Sequence, residues 1–167
     1  MTMADFEKQP RGPYLFDRWV GRQRIATPLG SFSVEFHISN DDDTNPPDDE
    51  MLSRATGLLS YTESHSELIL DIVFGHYLLA AEKGDWLEGC GVPRGVTRNE
   101  IRDYVRDDRS LVVARHLGWD RPYSSLIHVV PLWDEEHALS LEFHDGVIVA
   151  ANDSQFMLEA GVLRWMD

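Results

Sequence analysis

The densest local collection of side chains able to do chemistry is Trp133-Asp134-Glu135-Glu136-His137, with His128 upstream and His144 downstream. Carboxylates and imidazoles converging on one point can hold a divalent metal, and a carboxylate beside an imidazole can work as an acid–base pair. A metal-assisted hydrolase using Asp134, Glu136 and His137 is therefore one reading. Strand parity opposes it, because His137 and His144 lie an odd number of residues apart and would face opposite sides of a shared strand. The sequence places no nucleophile or oxyanion donor beside them, and it contains neither a Gly-x-Ser-x-Gly elbow nor a His-Glu-x-x-His pair. An architectural reading asks for less. Trp133 covers the sheet edge, Asp134 accepts backbone amides of the connection, and His137 bonds a carboxylate or carbonyl. On this reading the chain has no catalytic residue, metal or cofactor, and the alternatives are the enzyme or a domain with a purely structural or interaction role.

The second cluster is acidic. Asn40 to Glu50 reads NDDDTNPPDDE, in which Asp41, Asp42, Asp43, Asp48, Asp49 and Glu50 are negative. A calcium loop needs spaced oxygen ligands, a turn glycine and a terminal bidentate glutamate. Here prolines interrupt the acids and glycine is absent, so the segment is read instead as a charged loop running into a helix. Pro46 and Pro47 punctuate it, and Asp48, Asp49 and Glu50 complement the dipole of the first turn. Gly84 to Gly95, GDWLEGCGVPRG, lacks the Gly-Lys-Ser/Thr ending of a phosphate loop. Cys90 is the sole cysteine, which excludes an intramolecular disulfide and fits a reducing compartment.

The elements that position these residues can be read in order. Met1 to Pro13 is polar and Pro-containing and is expected to be a loosely draped segment, with one domain from residue 14 to 167. Trp19–Ala26 and Ser31–Ser39 are expected strands of an N-terminal hairpin. In the second, Phe32, Val34, Phe36 and Ile38 alternate with Ser33, Glu35 and His37, the pattern of a half-buried strand. His37 is on the polar side, as a solvated histidine. Helices are expected at 48–61 and 64–83, the second opened by a Ser64/Glu67 capping box. The second is the more apolar and is expected to lie across the sheet, with His76 at the margin of its apolar stripe. Another box, Thr97/Glu100, predicts a short helix to about 105, and Leu111–Leu117 reads as a strand.

The C-terminal part predicts a meander. Asp145-Gly146 between apolar runs is the strongest short-range hairpin signal. Placing it at the turn pairs Phe143 with Ile148, Leu141 with Ala150 and Leu139 with Asn152. Those apolar residues then share one face, opposite Ser140, Glu142 and His144. Ser125–Leu132 adds a third strand, and the tail from Gln155 is either a docked helical turn or a further strand. The fold class that follows is α+β: a curved antiparallel sheet of five or six strands, N-terminal hairpin plus C-terminal meander, packed against two or three helices.

The run Trp133-Asp134-Glu135-Glu136-His137, followed by the Asp-Gly hairpin, resembles a family of small uncharacterised bacterial domains carrying a Trp-Asp-x-Glu-His-Gly motif near the C-terminus. The order of elements is similar from about Phe16 to Asn152. The sequence departs from the motif at Ala138, where the family has glycine. Some domains of this kind look like immunity proteins of toxin systems, so the resemblance implies an inhibitor role.

Charge points the same way. The chain has 29 acidic and 15 basic residues, a net charge of −14, which disfavours nucleic acid and anionic membranes as partners. It favours a cationic protein, such as a toxin, steered in by long-range attraction, or simply solubility through a solvated acidic surface. Asp41, Asp42, Asp43, Asp48, Asp49 and Glu50 are the expected steering surface, with Trp86 and Trp119 as loop-borne aromatic anchors. With no signal peptide and no apolar run of membrane-spanning length, the chain is read as cytoplasmic.

Overall fold

The computed structural model describes residues 1–9, 17–39, 46–82, 87, 89–116, 122–134, 138–151, 156–159 and 162–165. The strands are β1 (Phe6–Lys8), β2 (Asp17–Gly21), β3 (Ile25–Thr27) and β4 (Gly30–Ser39), then β5 (Ser110–His116), β6 (Tyr123–Val129), β7 (Leu139–His144), β8 (Val147–Ala151), β9 (Phe156–Glu159) and β10 (Val162–Trp165). Two helices, α1 (Asp49–Ser64) and α2 (Ser66–Glu82), separate β4 from β5. The strand order is β1-β2-β4-β5-β6-β7-β8-β9-β10, with β3 paired to β4 beside this path. The protein is thus α+β, with the helices packed on one open sheet.

The sheet is larger than the five or six strands expected. β1 lies in the segment expected to be draped, pairs with β2 and buries Phe6 against Phe36 at 4.6 Å between ring centroids. The tail forms the β9–β10 hairpin, which resolves the choice between helical turn and strand. The sheet is also mixed, not antiparallel throughout, because β4 and β5 run parallel. The reason is the connection: a parallel pair needs a long crossover, which α1 and α2 supply. The expected Trp19–Ala26 strand is broken between β2 and β3. Gly30 opens β4 at φ +114, where a Cβ would run into the Arg109 guanidinium.

β4 is two-sided as its alternation demands. Phe32, Val34, Phe36 and Ile38 are all buried beneath the helices, together with Leu111 and Val113 of β5, Ile127 and Val129 of β6, and Leu139 and Leu141 of β7. The layering of the helices corrects one expectation. α1 lies against β5 and β6, while α2 packs on α1, on β10 and on the 3-10 turn Ile101–Tyr104. α2 is the more apolar because it is enclosed on several sides: Ile69, Leu70, Ile72, Val73, His76, Tyr77 and Ala80 are all buried.

Neither capping box forms as written. α1 runs through Ser64, whose hydroxyl donates to the Ser60 carbonyl at 2.7 Å, and a single residue, His65, separates it from α2. The Thr97 box keeps only its backward half, with Glu100 Oε2 accepting from Thr97 N at 2.9 Å, and it opens the 3-10 turn in place of a third helix.

The Asp145-Gly146 turn has positive φ at both residues, 48° and 86°, as its hairpin type requires. Phe143 pairs with Ile148 as expected. Beyond them the register differs: an irregularity between Glu142 and Phe143 sets Leu141 opposite Ala151 and Glu142 opposite Ala150. One extra β8 residue, Val149, is accommodated there as a bulge and stands 40% exposed. Ala151 therefore takes the core position assigned by alternation to Ala150.

Phe143 sits at the core margin, half-buried and tilted on Tyr61 of α1 at 4.8 Å, not beneath α2. Phe36 is fully buried. Phe36→Ala is expected to lower unfolding free energy by about 3–5 kcal/mol, as large aromatic truncations in cores do. Phe143→Ala is expected to lower it by clearly less. Urea unfolding of the two variants checks the order, and equal losses would contradict this packing.

Candidate functional site

The acidic helix start is partly committed to structure. Asp48 caps α1, its Oδ1 accepting from Met51 N at 2.9 Å. Its Oδ2 accepts from Arg115 Nη1 at 2.7 Å and from Tyr123 Oη at 3.0 Å. Burial opposes ionisation there, but the Met51 amide, Arg115 and Tyr123 outweigh it and hold the carboxyl below its ordinary value. Asp48 is therefore a structural tie between α1 and the β5–β6 pair. Asp49 and Glu50 are exposed, Glu50 pairing with Arg54 at 2.7 Å one turn on. Asp41, Asp42, Asp43, Trp86 and Trp119 lie outside the described residues.

The acidic character continues along the helices. Asp49, Glu50 and Glu63 on α1, and Glu67, Asp71 and Glu82 on α2, are all exposed. Arg54 on α1 is the one basic residue of the two helices. Arg98 bridges Glu67 and Asp71, and Arg102 also reaches Glu67. Counting these three arginines, the helix layer still carries more negative than positive charge.

Trp133 and Asp134 are built into a buried contact with α2. Trp133 is 2% exposed and packs edge-on against Tyr77 of α2 at 5.5 Å, so it is buried between sheet and helix and does not lie over the sheet edge. Its Nε1 donates to His76 Nδ1 at 3.0 Å. The indole N–H is only a donor, so Nδ1 accepts, and the neutral His76 ring carries its proton on Nε2. That nitrogen faces Asp134 Oδ2 at 3.7 Å, with both residues buried. Burial lowers the His76 pKa to about 4, against the pull of Asp134. Trp133 and Asp134 thus tie the end of the β6 segment to α2 through a neutral histidine. Glu136 and His137 lie outside the described residues, and among the described residues no three His, Cys, Asp or Glu side chains form a metal-binding group. His76 was missed as a partner by the sequence reading. The available signal was a lone imidazole inside the most apolar helix and a nearby tryptophan needing an acceptor.

Ala138 has φ 58 and is buried. The left-handed turn that a glycine would make easily is therefore kept at this position by an alanine.

The face of the sheet away from the helices holds a cleft of about 670 Å³. Its floor follows from the register. Val20, Glu35 and Val112 lie in one row across β2, β4 and β5; Ser33, Ser110 and His128 lie in the next across β4, β5 and β6. Glu35, 8% exposed, is the centre. It accepts from Arg18 Nε at 2.9 Å, Arg18 Nη2 at 2.8 Å and Ser33 Oγ at 3.2 Å, and His37 Nε2 lies 3.2 Å away. Burial alone would raise the Glu35 carboxyl, but hydrogen bonds from His37 and Arg18 prevail and hold it at about 2. His37 is therefore part of a network and not a simply solvated side chain. His128 engages Ser140 Oγ through Nδ1 at 3.0 Å, and burial lowers its pKa. At one end Arg24 Nη2 donates to the carbonyls of Ser31, Asp107 and Arg109. His144, half-buried, stands 3.9 Å from Glu142. No helix of the described residues is long and apolar enough to cross a membrane. Comparison of the chain with protein-family models, curated proteins and solved structures finds no match.

Two outcomes follow. The unfolded chain binds a proton at His76 near pH 6.5 that the folded chain refuses until about 4. This contribution to stability is complete above 6.5 and is lost as pH falls through that window, on the order of 3 kcal/mol in all. Chemical denaturation at pH 7 and 5 should show a smaller loss for His76→Gln, which keeps an acceptor for Trp133 but does not titrate; an unchanged loss would contradict the assignment. Ala138→Gly should raise stability by up to about 1 kcal/mol, because it relieves a left-handed alanine at some entropic cost. A lower denaturation midpoint would contradict that.

Proposed function

We propose that the protein is a cytoplasmic binding protein for a cationic protein partner, of the immunity type that neutralises a toxin. The observation that carries this reading is the acid excess: −14 over the whole chain, extended along the exposed faces of α1 and α2. A field of this sign raises the encounter rate with a basic partner and rejects acidic ones. Asp41, Asp42, Asp43, Asp49 and Glu50 form the steering surface in this proposal, continued by Glu63. Asp48 belongs to this surface too, but its carboxylate also holds the fold and is left unsubstituted in the test. Trp86 and Trp119 serve as the aromatic anchors. The network about His76, Trp133 and Asp134 supports an architectural role for the Trp-Asp run in preference to metal-assisted hydrolysis.

The test uses the product of the gene adjacent to this one as partner. Co-expression should protect cells that the product otherwise kills. Replacing Asp41, Asp42, Asp43 and Asp49 by asparagine should lower the association rate roughly tenfold at low salt and much less at high salt. A partner bound with no salt dependence, or killing unaffected by the protein, would overturn the reading.

A further inference from the structure

The open-face cleft has a hydrogen-bonding imbalance that the proposed function does not use. Its buried carboxylate is already served: Glu35 accepts from both Arg18 nitrogens and Ser33, and it holds His37. It therefore has little to offer a cationic ligand, and its effect is to fix Arg18 and His37 on the floor. The rim carboxylate Asp108 faces Arg106 at 3.4 Å. What remains is mainly donors. Arg24 commits Nη2 to backbone carbonyls, and a guanidinium carries further N–H groups on Nε and Nη1. Among the described residues the Ser110 hydroxyl has no hydrogen-bond partner, and His128 has one at Nδ1; where Ser140 Oγ donates to that nitrogen, the neutral ring carries its proton on Nε2 and has a donor to spare. These three are neighbours: Arg24 Nη2 reaches the carbonyl of Arg109, the residue before Ser110, and Ser110 pairs directly with His128 across β5 and β6. Val112 and Val130 supply apolar wall beside them.

We propose that this cleft binds a small molecule through an oxyanion, carboxylate or phosphate, to which Arg24, Ser110 and His128 donate. The volume, about 670 Å³, is that of a small-molecule site, and the mix of apolar wall with a few convergent polar groups is the usual one. The overall negative charge does not forbid it. Screening confines exposed charges to roughly 8 Å at physiological ionic strength, so the local donors govern the last step of binding. The site is on the sheet face opposite the acid-rich helices and does not depend on the protein-partner reading.

The experiment is an NMR titration of the intact chain, following the Ser110 amide, the Arg24 Nε–H and the His128 ring. Sodium phosphate and sodium succinate are the two probes, with sodium chloride at matched ionic strength and glucose as controls. Saturable shifts at these groups with one probe or both, at millimolar midpoints, are expected; which probe saturates identifies the oxyanion. Arg24→Gln and His128→Phe should each weaken binding about tenfold, and Ser110→Ala severalfold. Ser110→Ala is the mildest change and decides the matter if another variant loses its dispersed spectrum. Shifts no larger than those with chloride up to about 50 mM, saturation by glucose alone, or midpoints unchanged in folded variants would overturn the proposal.

Discussion

In a strand each side chain points away from the last, and β4 has to meet that condition over ten residues with different surroundings on its two sides. Phe32, Val34, Phe36 and Ile38 supply the helix-covered core, while Ser33, Glu35 and His37 supply the floor of the cleft. β4 also pairs with three strands, β2 and β3 antiparallel and β5 parallel. A shift of one residue in its register would place phenylalanines in the cleft and a carboxylate under α1. The Arg18–Glu35 pair opposes the same slip from the other side, because its two hydrogen bonds need Arg18 opposite His37.

Much of this was legible in the sequence wherever a local rule decides the outcome. The alternation of β4, the Asp145-Gly146 turn and the apolar stripes of two helices all act over a few residues, and each produced the element expected. The failures are non-local. Nothing near Ser64 indicates that α1 will run through it, because the rival to the capping box is continuation of a helix whose packing is decided by β5 and β6. The parallel pairing of β4 with β5 is invisible to hairpin rules. The bulge at Val149, which sets Ala151 opposite Leu141, is not encoded in the turn.

The same division holds for the site residues. Acidity and the Trp133-Asp134 run could be singled out from composition and motif. That Asp48 would be captured by Arg115 and Tyr123 could not, since β5 and β6 bring both from far along the chain. His76 and Trp133 also meet only in three dimensions, where each meets a need of the other: the indole N–H gains an acceptor and the imidazole gains a fixed tautomer. Buried polar groups are tolerated when bonded in this way. Arg18, Glu35 and His37 share a similar economy on the opposite face, with the difference that their network opens to solvent.

The parallel seam between β4 and β5 also has a bearing on how the chain reaches its structure. The β1–β2 and β2–β4 pairings, and the meander from β5 to β10, join strands that are near one another in sequence and can assemble as separate pieces. The seam joins strands separated by both helices and the loop that follows, so its closure entropy is met before its hydrogen bonds form. Asp48, bonded to Arg115 beyond the seam, fastens the start of the crossover to the strand at its end. Closing this seam is the least local step of the fold, and it is the step at which the entropy of loop closure is expected to weigh most on the folding rate.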